Sequence, residues 1–112
     1  MNQETQLEQI DVSIDQAKAI IELGQSLNRL QDNADFVKVV IEGYLQDEAI
    51  RLVELKADSN MQSTERQKQI DDAIMGISQF KQHMRFIKQV AEQAASDLKE
   101  YEDTRSEVLA EV

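Results

Sequence analysis

The only histidine of the chain, His83, is the first residue to consider for catalysis or metal binding. It lies between Phe80 and Phe86, three residues from each. A di-iron site in a helical protein needs Glu-x-x-His pairs, and a phenylalanine at position 80 excludes that motif. The absence of cysteine excludes disulfides and thiolate metal ligands. We therefore expect His83 at the surface or at the edge of a helix contact, and we expect neither a metal nor a cofactor.

Acidic residues are abundant, and two groups of them are close in sequence: Glu42, Asp47 and Glu48, and the adjacent Asp71 and Asp72. Paired carboxylates can act as acid and base, but a catalytic site needs further groups beside them. No second histidine and no glycine-rich phosphate-binding sequence accompanies either group. Both groups are typical of solvated helix faces. We predict that the protein is not an enzyme and has no catalytic residues.

Three basic residues, Lys81, Arg85 and Lys88, are spaced so that they share one face of a helix. This basic stripe has two interpretations. It either forms ion pairs with acids of the first two helices or contacts an anion or a partner. Aromatic residues that could stack on nucleic-acid bases do not alternate with it on that face. The pattern favours ion pairing, in which each exposed pair contributes about 0–1 kcal/mol.

The net charge of −10 bears on the choice of partner. An acidic surface repels phosphate, so direct binding to nucleic acid or to an anionic membrane is disfavoured. The excess of acid either serves solubility or provides a docking surface for a basic partner. No apolar run approaches the length of a membrane span, and the N-terminus lacks the features of a signal peptide. Nothing in the sequence indicates export, and the absence of cysteine is compatible with a reducing cytoplasm.

The elements that carry these residues are predicted to be long helices. The chain has no proline, only three glycines, and apolar residues repeated at steps of three and four. Turn residues cluster at 31–34 and 58–63. The sequence therefore predicts one all-α domain of 112 residues, with three antiparallel helices near 7–31, 34–57 and 64–109.

Two local features of this assignment allow alternatives: the secondary structure of residues 37–41 and the capping residues of the second and third helices. The β-branched run at residues 37–41 is compatible with a strand, but it belongs to more than twenty residues without a turn, which favours a helix. Asp32 or Asn33 can cap the second helix, and Ser63 or Thr64 the third. Thr64 and Gln67 also fit the spacing of a capping box.

The apolar rows predict which side chains are buried. On the first helix, a row of Ile20, Leu23, Leu27 and Leu30 lies beside the main apolar seam and is expected to widen the buried face. Across the three helices, the predicted core is Ile14, Ile21, Leu27, Phe36, Val40, Ile41, Leu45, Leu52, Ile74, Ile77 and Met84.

The third helix is too long for a compact domain of this size. At 1.5 Å per residue it would be roughly 70 Å long, so it must project, break near residues 94–97, or find a partner. We predict that the first two helices form an antiparallel hairpin against its N-terminal half, which leaves the extension at residues 97–112 uncovered. The exposed apolar residues there would form a partner interface, for which a basic protein is favoured over a second copy. The predicted interface consists of Leu98, Tyr101, Val108 and Leu109.

Residues 35–58, DFVKVVIEGYLQDEAIRLVELKAD, followed by Asn60-Met61-Gln62, resemble a group of small acidic helical proteins encoded by tailed bacteriophages. The similarity covers most of the chain from Ile10 to the terminal YEDTRSE sequence. This resemblance implies a phage origin and a minor virion or assembly component, located in the virion or in the cytoplasm of the host bacterium. It implies no catalytic residues.

Three hypotheses for function follow. The leading one is a non-enzymatic phage structural or assembly protein that acts through helix–helix contacts with other phage structural proteins or with a second copy. The alternative is an acidic helical inhibitor that binds a host protein by occupying its basic nucleic-acid-binding surface. A helical adaptor of host origin is the third. The sequence leaves the partner and the copy number open.

Overall fold

The computed structural model describes residues 2–111, and within them it contains helices and no strand. Helix α1 is Gln3–Gln31. Helix α2 covers residues 34–57 in three consecutive segments, Ala34–Phe36, Val37–Glu48 and Ala49–Ala57. A single 3₁₀ turn, Ser59–Met61, precedes helix α3, Thr64–Ala110. The all-α class is confirmed, and the turns are where the polar clusters predict them.

Side-chain caps explain why the helices begin where they do. The Asn33 side chain accepts a hydrogen bond from the backbone N–H of Phe36 at 3.0 Å, which satisfies a donor that has no partner within the helix. Ser63 Oγ accepts from the backbone N–H of Arg66 at 3.2 Å and caps α3. The predicted capping box is wrong, because Gln67 Nε2 instead donates to backbone carbonyls, among them that of Met61 at 2.9 Å.

Helix α2 differs from the predicted α-helix in its winding. Val37–Glu48 is π-helical, with hydrogen bonds from residue i+5 to residue i, and Ala49–Ala57 returns to the α form. The wider turn changes which residues face the core. Val40 and Leu45, five residues apart, both turn inward, whereas the α-helical part places Leu52 inward.

Helix α3 is continuous from Thr64 to Ala110, so the break considered near residues 94–97 is absent. Gly76, which weakens helix propensity, lies within it without interrupting it. The chain divides by contacts into two compact units, and both α1 and α3 contribute to each. Unit 1 consists of residues 1–27 and 86–112, and unit 2 of residues 28–85.

In unit 1, α1 packs antiparallel to the C-terminal part of α3. The Gln3 side chain donates to the backbone carbonyl of Val108 at 2.8 Å, and Arg105 Nε donates to Asp11 at 2.8 Å. Farther along α1, Gly24 lies directly against Ala91. The prediction that the first helix packs against the N-terminal half of the third is therefore wrong. Periodicity cannot tell the halves of α3 apart, because both carry an apolar row.

In unit 2, α2 packs antiparallel to the N-terminal part of α3. The Tyr44 and Phe80 rings meet edge to face, with centroids 6.1 Å apart and an interplanar angle of 87°. Toward the other end of α2, Lys56 forms an ion pair with Asp71. Buried leucines of α2 face buried residues of α3 along this contact. The buried set is Leu45, Leu52, Ile70, Ile77 and Met84.

The predicted core is confirmed in part. Ile14, Leu27, Leu45, Leu52, Ile77 and Met84 are buried. The remaining predicted residues, Ile21, Phe36, Val40, Ile41 and Ile74, are half-buried. The second row of α1 was predicted wrongly, since only Leu27 is buried. The exposed members of that row are Ile20, Leu23 and Leu30. Ile20 and Leu23 remain uncovered because α1 has one neighbouring helix within unit 1.

A glycine-to-alanine pair tests the close approach of α1 and α3. A Cβ at Gly24 would lie far inside van der Waals contact with Ala91 Cβ, whereas one at Gly76 would meet only Tyr44 Oη at 3.9 Å. We expect Gly24→Ala to lower the free energy of unfolding by about 1–3 kcal/mol. Gly76→Ala should raise it by about 0.5–1 kcal/mol through helix propensity. Urea unfolding followed by circular dichroism measures both.

The double variant Gly24→Ala/Ala91→Gly is the control. It removes the Cβ of residue 91 with which the new Cβ would clash, so it should recover most of the free energy of unfolding lost in Gly24→Ala. Equal stabilisation by Gly24→Ala and Gly76→Ala would mean that the two helices do not touch at Gly24.

Candidate protein-contact surfaces

The side chains that could perform chemistry lie on the surface and are held in ion pairs or exposed singly. His83 is exposed, as expected. Asp71 pairs with Lys56, and Asp72 lies 3.4 Å from Lys68 Nζ. Among residues 2–111, no three histidine, aspartate or glutamate side chains are grouped so that they could hold a metal ion. Asp71 and Asp72, one of the two carboxylate groups considered for chemistry, therefore each have a basic partner in this structure.

The best-defined ion pair joins Glu48 and Arg51 on α2. Arg51 Nε and Nη2 donate to the two carboxylate oxygens at 2.8 and 2.6 Å. These hydrogen bonds lower the pKa of the Glu48 carboxyl and raise the pKa of Arg51. Because the folded-state pKa of Glu48 is lowered, the pair stabilises the helix above the usual carboxyl pKa. That contribution is lost as the pH falls through the lowered value.

The predicted basic stripe lies on α3 without ion pairs. Lys81 is half-buried, while Arg85 and Lys88 are exposed. Within residues 2–111, none of the three has an acidic partner within ion-pair distance. The ion pairs with the first two helices that the sequence favoured are thus not formed. Whether this stripe contacts an anion or a partner stays a prediction.

The predicted interface at residues 97–112 does not have the uncovered surface on which it was based. Val108 is buried at 7% exposure, and Leu98 and Tyr101 are half-buried. Only Leu109 is well exposed, at 45%. The physical reason is that the N-terminal part of α1 covers this end of α3. Val108 is therefore a core residue of unit 1.

Large apolar side chains are instead exposed elsewhere, on all three helices. Ile20 and Leu23 lie uncovered on α1, and Phe86 is uncovered on α3. On α2, the exposed residues Ile50 and Val53 line a shallow concave surface beside Ala49 and Glu54. The sequence signal for these surfaces was the presence of two apolar rows on one helix, of which a single neighbouring helix can cover only one.

Unit 1 also contains a groove between α1 and α3. Its α1 wall is formed by Gln6, Gln9, Ile10 and Ser13, and its α3 wall by Tyr101, Thr104 and Val108. The opposite side of the same helix pair has a different character. That side is lined by three acidic residues, Asp11, Asp15 and Glu102, and by two basic residues, Lys18 and Arg105. Arg105 forms an ion pair with Asp11. One side of unit 1 is therefore apolar and amide-lined, and the other carries mixed charge.

No known protein family, curated protein or solved structure matches this chain. The resemblance to tailed-phage proteins consequently stays a prediction from the sequence. No helix within residues 2–111 combines the length and apolar character that crossing a membrane requires.

Two neighbouring residues test whether the end of α3 belongs to the core. Val108→Asp places a charge at a buried site and should lower the free energy of unfolding by at least about 2 kcal/mol. Leu109→Asp places the same charge at an exposed site and should change it by less than about 0.5 kcal/mol. Both add the same charge near the same helix end, so the comparison isolates burial. If chemical denaturation shows the same change in the free energy of unfolding for both variants, Val108 is exposed and does not belong to the core.

Proposed function

We propose that this chain is a non-enzymatic structural or assembly protein of a tailed bacteriophage that acts through helix–helix contacts with other proteins. The observation that carries the proposal is the set of large apolar side chains left exposed in both units. Leu23 is 50% exposed and Phe86 58% in unit 1, and Ile50 is 58% and Val53 60% in unit 2. Exposed apolar surface of this kind, bordered by charge, is typical of protein interfaces.

The inhibitor hypothesis has one observation in its favour. Unit 1 contains twelve acidic and four basic residues, a net side-chain charge of −8, and unit 2 carries the remaining −2. A surface so acidic could occupy the basic groove of a nucleic-acid-binding host protein. We rank the inhibitor hypothesis second, because exposed apolar surface is present in both units whereas the negative charge is concentrated in unit 1.

Stoichiometry in phage particles tests the proposal. We expect the protein to co-purify with particles or assembly intermediates at a fixed copy number that survives a rise in salt, because apolar contacts are not screened. Quantitative mass spectrometry of gradient-purified particles measures that number. An inhibitor would instead be missing from particles at every stage and bound to one host protein, in a complex that weakens with salt.

A further inference from the structure

Helical spacing shows which further residues of unit 1 lie on the same side as the residues that line the groove. Ile20 follows Ser13 by seven residues and Leu23 follows Gln9 by fourteen, so both lie on the groove side of α1. Phe86 precedes Thr104 by eighteen residues, which is five helical turns, so it lies on the groove side of α3. The three apolar side chains therefore extend both walls along one side of unit 1.

These wall residues are substantially uncovered. Ile20 is 38% exposed, Leu23 50% and Phe86 58%. In a bundle of two helices, the side of the pair is the position at which a third helix packs, with its ridges in the groove between the first two. The apolar residues recur along α1 at helical spacing from Ile10 to Leu23, which is roughly 20 Å at 1.5 Å per residue. On α3 the residues of this side extend from Phe86 to Glu107, which is roughly 32 Å, so an occupant that reaches both ends is a helix of about six turns.

The charges of unit 1 are divided between the two sides of the helix pair. Lys18 and Arg105 line the opposite side. Lys88 precedes Glu102 by two heptads, and this spacing places it on the same face of α3 as Glu102. The fourth base of unit 1, Lys99, is five residues before Thr104 and lies on the outer surface of α3. Within the described part of unit 1, no basic residue is thus placed on the groove side.

Acidic residues border the groove instead. Glu100 lies four residues before Thr104, and Glu107 lies three residues after it. Asp97 lies seven residues before Thr104. At these helical spacings all three acids share the face of α3 that carries Thr104. Asp97 accepts a hydrogen bond from Gln93 at 2.9 Å and has no basic partner among the described residues. The border of the groove therefore carries uncompensated negative charge next to apolar walls.

We propose that this groove binds an amphipathic helix of a basic partner protein, with apolar residues facing Leu23 and Phe86 and with Lys or Arg facing Glu100 and Glu107. A second copy of this chain is a poor occupant, because it would bring its own net charge of −10 against the same acidic border. This inference rests on the proposed function and adds to it the site and the chemistry of the partner.

Designed peptides test the proposal on the full-length protein. One peptide is a six-turn amphipathic helix with a leucine stripe bordered by lysine, and the matched peptide has the same stripe bordered by glutamate. Isothermal titration calorimetry at low and at high salt gives both affinities. We expect the lysine-bordered peptide to bind at least about tenfold more tightly, with a preference that shrinks as salt rises.

Variants locate the binding site. Leu23→Gln should weaken the lysine-bordered peptide by about tenfold or more without altering the melting temperature, because the side chain is exposed. Ile50→Gln is the matched control, since it removes a similarly exposed apolar side chain from unit 2 and should leave the affinity unchanged. The double charge reversal Glu100→Lys/Glu107→Lys should shift the preference toward the glutamate-bordered peptide.

Each contrary result overturns the inference. If neither peptide binds, or if both bind equally, the groove does not select a basic helix. If Ile50→Gln weakens binding as much as Leu23→Gln, the helix docks elsewhere. If the isolated protein is a dimer that Leu23→Gln dissociates in analytical ultracentrifugation, a second copy occupies the groove. The proposed function is tested separately by the copy number of the protein in phage particles. A fixed copy number would support it even if the groove does not bind a basic helix, so failure of the inference and failure of the proposed function are distinguishable.

Discussion

Two helices in contact can bury only one strip of each other, and this limit governs the whole protein. In unit 1, α1 covers the C-terminal part of α3, and in unit 2, α2 covers its N-terminal part. Small residues make the first contact close, with Gly24 against Ala91 and with Ala17 and Ala94 buried. Any apolar row beside the covered strip has no intramolecular partner, and it remains at the surface unless another molecule covers it.

The exposed rows and the acidic charge together define what such a molecule must supply. Apolar contact gives association its main driving force, while charge selects the partner and its orientation. The division of unit 1 into an acidic groove and an opposite side of mixed charge offers one site at which both requirements meet. The carboxylate groups that first suggested chemistry have a different role, because Glu48 and Asp71 are engaged by Arg51 and Lys56 on the surface.

The sequence was sufficient for the elements but not for their arrangement. Polar clusters and caps such as Asn33 are local, so helix boundaries could be predicted within a few residues. The topology depends on which half of α3 each shorter helix contacts, and the apolar periodicity is alike in both halves. This is why Val108 was assigned to an interface and why the row that contains Leu23 was expected to widen the buried face. The π-helical winding of Val37–Glu48 has no simple signal in residue type, since its β-branched residues are also compatible with a strand.

Thiol accessibility at two leucines of α1 tests the central claim most directly, because the natural chain has no cysteine. Leu23 and Leu27 are one turn apart, 50% and 6% exposed, and periodicity places them in the same apolar row. In the isolated protein, the thiol of the Leu23→Cys variant should react with a water-soluble disulfide reagent at nearly the rate of an unfolded peptide. The Leu27→Cys variant should react at least about a hundredfold more slowly, since burial requires an opening event before reaction. Equal protection of both thiols would show that the second row of α1 is already covered and would contradict the account.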